Sequence, residues 1–233
     1  MTTHRASVLF LTLIAGSIPV GLSGCKFHHH DVYTFSTSVP DAYGDSRAIN
    51  IHQMGGGIDV KDAPHGANLM TMGGDIHVGN VASFAKVTTM GGNVAIDDAK
   101  GFVDASTMGG GITIGRADGP IKASTMGGDI TARMEGSSSE RRDVELTSHS
   151  GTVTLIVPKD FPMDVQVTLA YTQAAGRSFE IIDHVGLEQR ETPDWDDSFG
   201  TPRKFIRAAG RVGSGLNHVV IKTINGDVIL KQE

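Results

Sequence analysis

The sequence predicts an all-β chain, a parallel β-solenoid or β-helix wound in 18-residue coils with two short strands per coil. Three observations predict it. Met54, Met72, Met90, Met108 and Met126 follow one another 18 residues apart without slippage, the fixed self-similarity of a repeat architecture. Around each methionine, apolar residues alternate with polar or small ones, the two-residue period of a strand with one buried face, and no helical stripe competes. A Thr-Met-Gly-Gly string recurs at Thr71–Gly74, Thr89–Gly92, Thr107–Gly110 and Thr125–Gly128, with Gln53–Gly56 as a variant. The glycine pair suits a sharp corner because it accepts positive φ and crowding that a Cβ would forbid.

Composition sets the bounds. The chain has 233 residues, 39% hydrophobic but only 6% aromatic, with 30 glycines, which implies one domain with an appended segment and a thin core of small and β-branched side chains. A formal charge of −6 and a pI near 5.9 leave no clustered basic surface of the kind that phosphate binding needs, so nucleic acid is not an expected partner.

The first residues read as an export signal: a positive start through Arg5, then an apolar or small run from Ala6 to Gly21 that is too short for a membrane span. Leu22–Cys25, Leu-Ser-Gly-Cys, resembles the lipobox of bacterial lipoproteins. That resemblance implies a signal peptide at 1–24, cleavage before Cys25 and diacylation of its thiol. Cys25 is the only cysteine, and a lipid accounts for a thiol that would otherwise stand unpaired in an exported protein. Several acyl chains, at about 0.8 kcal/mol per buried methylene, give stable attachment to a membrane. The expected location is the cell envelope, at the outer membrane if the cell is Gram-negative, since Lys26 rather than Asp follows the cysteine.

Residues 25–45 read as a tether and 46–233 as the solenoid. In each coil the positions five, three and one before the methionine form a first strand, as in Ala67, Leu69 and Thr71, and the positions four and six after it form a second, as in Ile76 and Val78. Looser turns close the coils at 62–66, 79–83, 97–101 and 116–120. A polar insertion at 135–142 displaces the register by five residues, after which Val144, Leu146, Val153 and Leu155 resume it. Residues 173–215 are irregular, and Val219, Ile221, Val228 and Leu230 repeat the register as the last coil. About eight coils stacked about 4.8 Å apart make a rod near 40 Å long.

Coils of this pattern behind a lipobox, closing on Lys222–Lys231, "KTINGDVILK", resemble a bacterial family of adhesin-type domains. That family is itself similar in fold to autotransporter-adhesin-head domains, a single-stranded parallel β-helix. The resemblance implies an envelope protein that binds protein or glycan and has no chemistry of its own.

The candidate sites divide by chemistry. Aligned threonines can pass hydroxyl hydrogen bonds along their column, and aligned methionines make an apolar stripe. Strict alternation with inward threonines sends the methionines outward, whereas a rotation at the bend returns them, and the sequence leaves both open. An outward stripe offers an apolar docking face or soft thioether ligands for Cu(I), to which His28, His29, His30, His52 and His77 would add. A calcium β-roll is not expected, because only one half of each coil has glycines and the next residue varies through Gly57, Asp75, Asn93, Gly111 and Asp129. No catalytic constellation is legible: Asp59, Lys61, Asp75, Asp97, Asp98 and Lys122 share no register that pairs two acids. No metal or other cofactor is therefore assigned. Asp194, Trp195, Asp196 and Asp197 form a candidate interaction loop, read first as cover for unpaired strand edges and second as a recognition element. Self-association through an exposed terminal coil is a further expectation.

Overall fold

The computed structural model describes residues 47–136 and 141–233; the expectations for the signal peptide, Cys25, the tether and His28–His30 lie outside the described residues. Strand β1 (Ile49–Gln53) and β2 (Ile58–Ala63) make the first coil, followed by β3 (Ala67–Thr71) with β4 (Ile76–Val81) and β5 (Phe84–Thr89) with β6 (Val94–Ala99). Next come β7 (Phe102–Thr107) with β8 (Ile112–Ala117), β9 (Ile121–Thr125) with β10 (Ile130–Met134), and β11 (Val144–Ser148) with β12 (Val153–Val157). The remaining strands are β13 (Met163–Thr172), β14 (Ile181–Asp183), β15 (Glu188–Glu191), β16 (Arg203–Val212), β17 (Asn217–Ile224) and β18 (Val228–Gln232).

Two sheets result, parallel except where β16 and β15 join the first, and the 18-residue period sets the register of the early coils: Leu69 lies beside Val87 and Val78 beside Ile96. Across the insertion, Leu146 still pairs with Ala123. The predicted inward positions are buried from Ile58 onward, while those of strand β1, Ile49, Ile51 and Gln53, are half-buried at the edge of the first sheet. The second strands run further than the sequence suggested. Ala63, Val81, Ala99 and Ala117 also point inward, so the looser corners begin after residues expected to lie in them.

The order of strands departs from chain order at one end. Among the described residues the first sheet runs β1-β3-β5-β7-β9-β11-β17-β13-β16-β15, and the second β2-β4-β6-β8-β10-β12-β18-β14. The coil β17–β18, last in sequence, is therefore sandwiched between the coils β11–β12 and β13–β14. Segment 173–215, expected to be irregular, contains β14, β15 and β16. Strand β16 pairs antiparallel with the whole of β13, from Met163 beside Val212 to Thr172 beside Arg203, and β15 adds to β16. Strand β15, the edge of this sheet, is polar and exposed throughout (Glu188, Gln189, Arg190, Glu191), a composition that resists further pairing.

The polar insertion hides a buried charge. Arg142 is almost wholly buried, its guanidinium donating to the carbonyls of Glu135 and Gly136, lying 3.5 Å from Asp118 and 5.3 Å above the Phe161 ring. Its backbone N–H donates to Asn217 Oδ1 (2.7 Å), and Asn217 Nδ2 donates to the Pro162 carbonyl (2.7 Å). Asn217 thus bolts the sandwiched coil to the segments on either side, because a buried amide side chain is tolerated only when both ends are satisfied.

Candidate functional surfaces

The Thr-Met-Gly-Gly corner is built from its threonine. Thr71, Thr89, Thr107 and Thr125 are buried, and each hydroxyl donates to the carbonyl of the second glycine one coil below: Gly56 (3.0 Å), Gly74 (2.8 Å), Gly92 (2.7 Å) and Gly110 (2.7 Å). The Thr89, Thr107 and Thr125 hydroxyls also accept from glycine N–H groups of their own corner. Hydroxyls therefore bond to backbone rather than to one another, the correction to the hydroxyl column expected from sequence. Ser148 and Thr223 repeat the contact to Gly128 and Gly151 in the later coils.

The second glycine follows from that close approach. A Cβ on Gly74, Gly92, Gly110 or Gly128 would sit 2.1 to 2.2 Å from the carbonyl oxygen of the coil below, where no side chain fits. The first glycine has room, and Ser150 and Asn225 take its place in later coils. Positive φ, expected for the pairs, is confined to Gly56 among them, so crowding is the operative reason.

With the threonines fixed inward, the next residue must turn out. Met54 is 80% exposed and Met72, Met90, Met108 and Met126 between 44% and 52%. The column faces solvent as a ridge one residue wide, with exposed Met70 beside it in the second coil. In the same register His149 and Ile224 continue it, exposed and half-buried respectively.

The position after the second glycine has a use that its variability concealed. Asp75, Asn93, Asp129 and Asp227 each accept, through Oδ1, the backbone N–H of the equivalent residue in the next coil: Asn93 (2.6 Å), Gly111 (2.8 Å), Thr152 (2.7 Å) and Glu180 (3.0 Å). These side chains are engaged in holding coils together. The signal in the sequence was the recurrence of a short acceptor side chain, Asp or Asn, which a search for calcium ligands discards.

On the outer face of the second sheet, the 18-residue register sets His77 beside Asp59. Its Nδ1 lies 3.3 Å from Asp59 Oδ1 and its Nε2 3.0 Å from Asp97 Oδ2, so His77 joins acids that the sequence left unrelated. The Asp97 hydrogen bond raises the imidazole pKa above its ordinary value, opposed by desolvation and supported by Asp59. The group is an exposed ion-pair bridge across three coils. Among the described residues, no cluster of three His, Cys, Asp or Glu side chains has a geometry that could hold a metal ion.

Trp195 is 37% exposed and has one edge against the cap. Trp195 meets Tyr171 edge-on at 5.6 Å, with Lys204 Nζ 5.4 Å above the indole, and Tyr171 also contacts Phe179. The Tyr171 hydroxyl donates to the Glu191 carboxylate, which pushes the phenol up to about 12. Asp196 accepts from the Ser198 N–H (3.0 Å) and hydroxyl (2.6 Å), and its backbone bridges to Arg203. Asp194 and Asp197 remain exposed. Of the four loop residues, Trp195 and Asp196 serve the closure of the cap, and sequence alone gave no sign of Tyr171 as the ring beneath.

Comparison with known proteins agrees with this architecture. A family model described as Toastrack DUF4097 matches residues 19–196, more than half of the chain. No curated protein and no solved structure matches.

Proposed function

The chain belongs to the Toastrack DUF4097 family, a β-solenoid-like family, and from that premise we propose a non-enzymatic, lipid-anchored envelope protein whose solenoid presents a binding surface to protein or glycan. The observation that carries the proposal is the outward methionine ridge, an apolar line on coils whose inward positions are mostly Ile, Val, Leu, Ala and Thr. Unbranched thioethers adapt to varied partner shapes, the property that suits methionine to binding faces. Anchoring rests on Leu22–Cys25 and the apolar run before it.

The test joins location to binding. Palmitate should label the wild type and not Cys25→Ala, and the variant should leave the membrane fraction. Partners captured from envelope extracts should be lost when Met72, Met90 and Met108 are together replaced by Gln, exposed positions where the fold tolerates polarity. Capture unchanged by that triple variant would remove the ridge as the binding face.

A second reading is favoured by the same geometry. Thioethers in successive coils, about 4.8 Å apart along the sheet, are soft ligands that Cu(I) prefers. Titration against a competing chelator should show retention abolished by Met→Leu replacement along the ridge; equal retention by both forms would exclude it.

A further inference from the structure

Where the methionine ridge ends, its register passes into a cleft. His149 and Ile224 line a cavity of about 210 Å³ on the outer face of the first sheet, between β11, β17, β13 and β16. The other side chains that matter are the hydroxyls of Thr147 and Thr168, the cations Lys222 and Arg203, and the ring of Phe205. No carboxylate lines it, although the chain carries 26 Asp and Glu against 20 Lys and Arg.

The cleft exists because of the altered strand order. Insertion of β17 brings Lys222 beside Thr147 on one side and Thr168 on the other, and the antiparallel β16 brings Phe205 beside Ala170. Arg203 lies 5.4 Å over the Phe199 ring, which constrains its plane. Its Nε is buried with no hydrogen-bond partner among the described residues. Because solvent does not reach Nε, a ligand in the open cleft meets the guanidinium through its terminal nitrogens, which pair with a carboxylate.

We propose that this cleft binds the carboxylate-bearing ring of an acidic sugar, a uronate. Arg203 and Lys222 hold the carboxylate, Thr147 and Thr168 exchange hydrogen bonds with ring hydroxyls, and Phe205 packs against the apolar face of the ring. The volume lies below the range of about 300–1,000 Å³ typical of drug-sized sites and suits one sugar ring. Hydroxyls that can both donate and accept, beside an aromatic wall, fit a sugar better than a bare inorganic anion. The assignment rests on the reading of the solenoid as a binding surface and names the ligand class for one part of it.

The experiment titrates the purified chain with digalacturonate, digalactose and inorganic phosphate, followed by calorimetry and by amide shifts around Lys222. Digalacturonate should bind, and digalactose should bind at least about tenfold more weakly, the loss expected when one charge-assisted contact worth about 1.4 kcal/mol is absent. Phosphate should not displace the disaccharide at equal concentration. Lys222→Gln, at an exposed position, and Arg203→Gln should each weaken digalacturonate binding at least about fivefold, while Lys86→Gln elsewhere on the same face should leave it unchanged. Equal affinity for digalactose, displacement by phosphate, or indifference to Lys222→Gln would overturn the assignment. Partner capture unchanged by the Met72, Met90 and Met108 triple variant, with digalacturonate binding intact, would instead sink the proposed function and spare the sugar site.

Discussion

The coils through residue 134 and the segment from residue 141 onward solve the same packing problem with different rules of neighbourhood. In the first region each coil lies on the one 18 residues earlier, so one sentence of sequence, repeated, builds the stack. In the second, Leu146 lies beside Ile221, which lies beside Val167, and chain order no longer says who touches whom. Yet the corner chemistry is unchanged: Thr223 donates to Gly151 as Thr125 does to Gly110. The contrast teaches that the corner, rather than the period, is the conserved unit within this molecule, and that it works between any two coils brought together.

The closing string Thr223–Asp227 shows what sandwiching adds. Thr223 and Gly226 face the coil below, and a Cβ at Gly226 would come 1.8 Å from the Gly151 oxygen. Asn225, in the left-handed region at φ 52, accepts from the Thr172 N–H (2.9 Å) and hydroxyl (3.2 Å), and Asp227 accepts from the Glu180 N–H. Asparagine tolerates that backbone conformation better than most residues.

The sharpest way to break the comparison is at the glycines. Gly226→Ala should destabilise the chain by about 3 kcal/mol or more in urea unfolding, because backbone on both sides must move. Gly73→Ala, at a first glycine with open space around it and no positive φ, should be neutral or stabilising by up to about 1 kcal/mol. Equal losses at the two sites would mean that chain conformation rather than crowding selects glycine.

Asn217→Ala comes next, at about 1–3 kcal/mol, since it strands the Arg142 N–H in a buried site, while the Pro162 carbonyl keeps the residue 217 backbone N–H. Hydrogen exchange should quicken in β13, β16 and β17 while β3 to β8 stay protected. Uniform quickening would show that the two regions unfold as one. Thr107→Val should cost about 1–2 kcal/mol, the loss of a buried hydroxyl bond to Gly92 with the acceptor left unsatisfied, and Thr107→Ser should recover most of it, as Ser148 already does natively.

The smallest effect belongs to His77. Its folded pKa is raised, so the stability it contributes is present in full below its unfolded value near 6.5 and fades as pH rises through the folded value. Solvent exposure keeps that contribution small. An NMR titration should place the His77 midpoint above 6.5, and Asp97→Asn should bring it back toward 6.5; a midpoint indifferent to Asp97→Asn would deny the bridge.

Much of this was legible in the letters. Alternation around Met54 to Met126 gave the coils and their inward residues, and the resumed pattern at Val144 and Val219 gave the later ones. The parity of Thr107 against Met108 left the ridge undecided because a bend can rotate a side chain, and only the hydroxyl bond to Gly92 settles it. Strand β16 was missed since Arg203–Val212 pairs outside the period, against β13, and its alternation is blurred by Ala208 and Ala209. The cleft was unreadable for the same reason: Thr147, Thr168, Arg203 and Lys222 meet only through pairings between strands distant in sequence, which no local pattern encodes.

Synthesis runs from the first coil toward the last, and the intercalated coil gives that direction a consequence. The early turns can wind as they emerge, each finding its seat already made. Strands β13 and β14 have no such seat, because the floor on which they rest is residues 217–232, made after them. During that interval the upper rim of β11–β12 and the underside of β13–β14 stay open to any stray strand of matching width. A nascent chain stalled before Asn217 would be a sticky object, while one carried sixteen residues further seals itself.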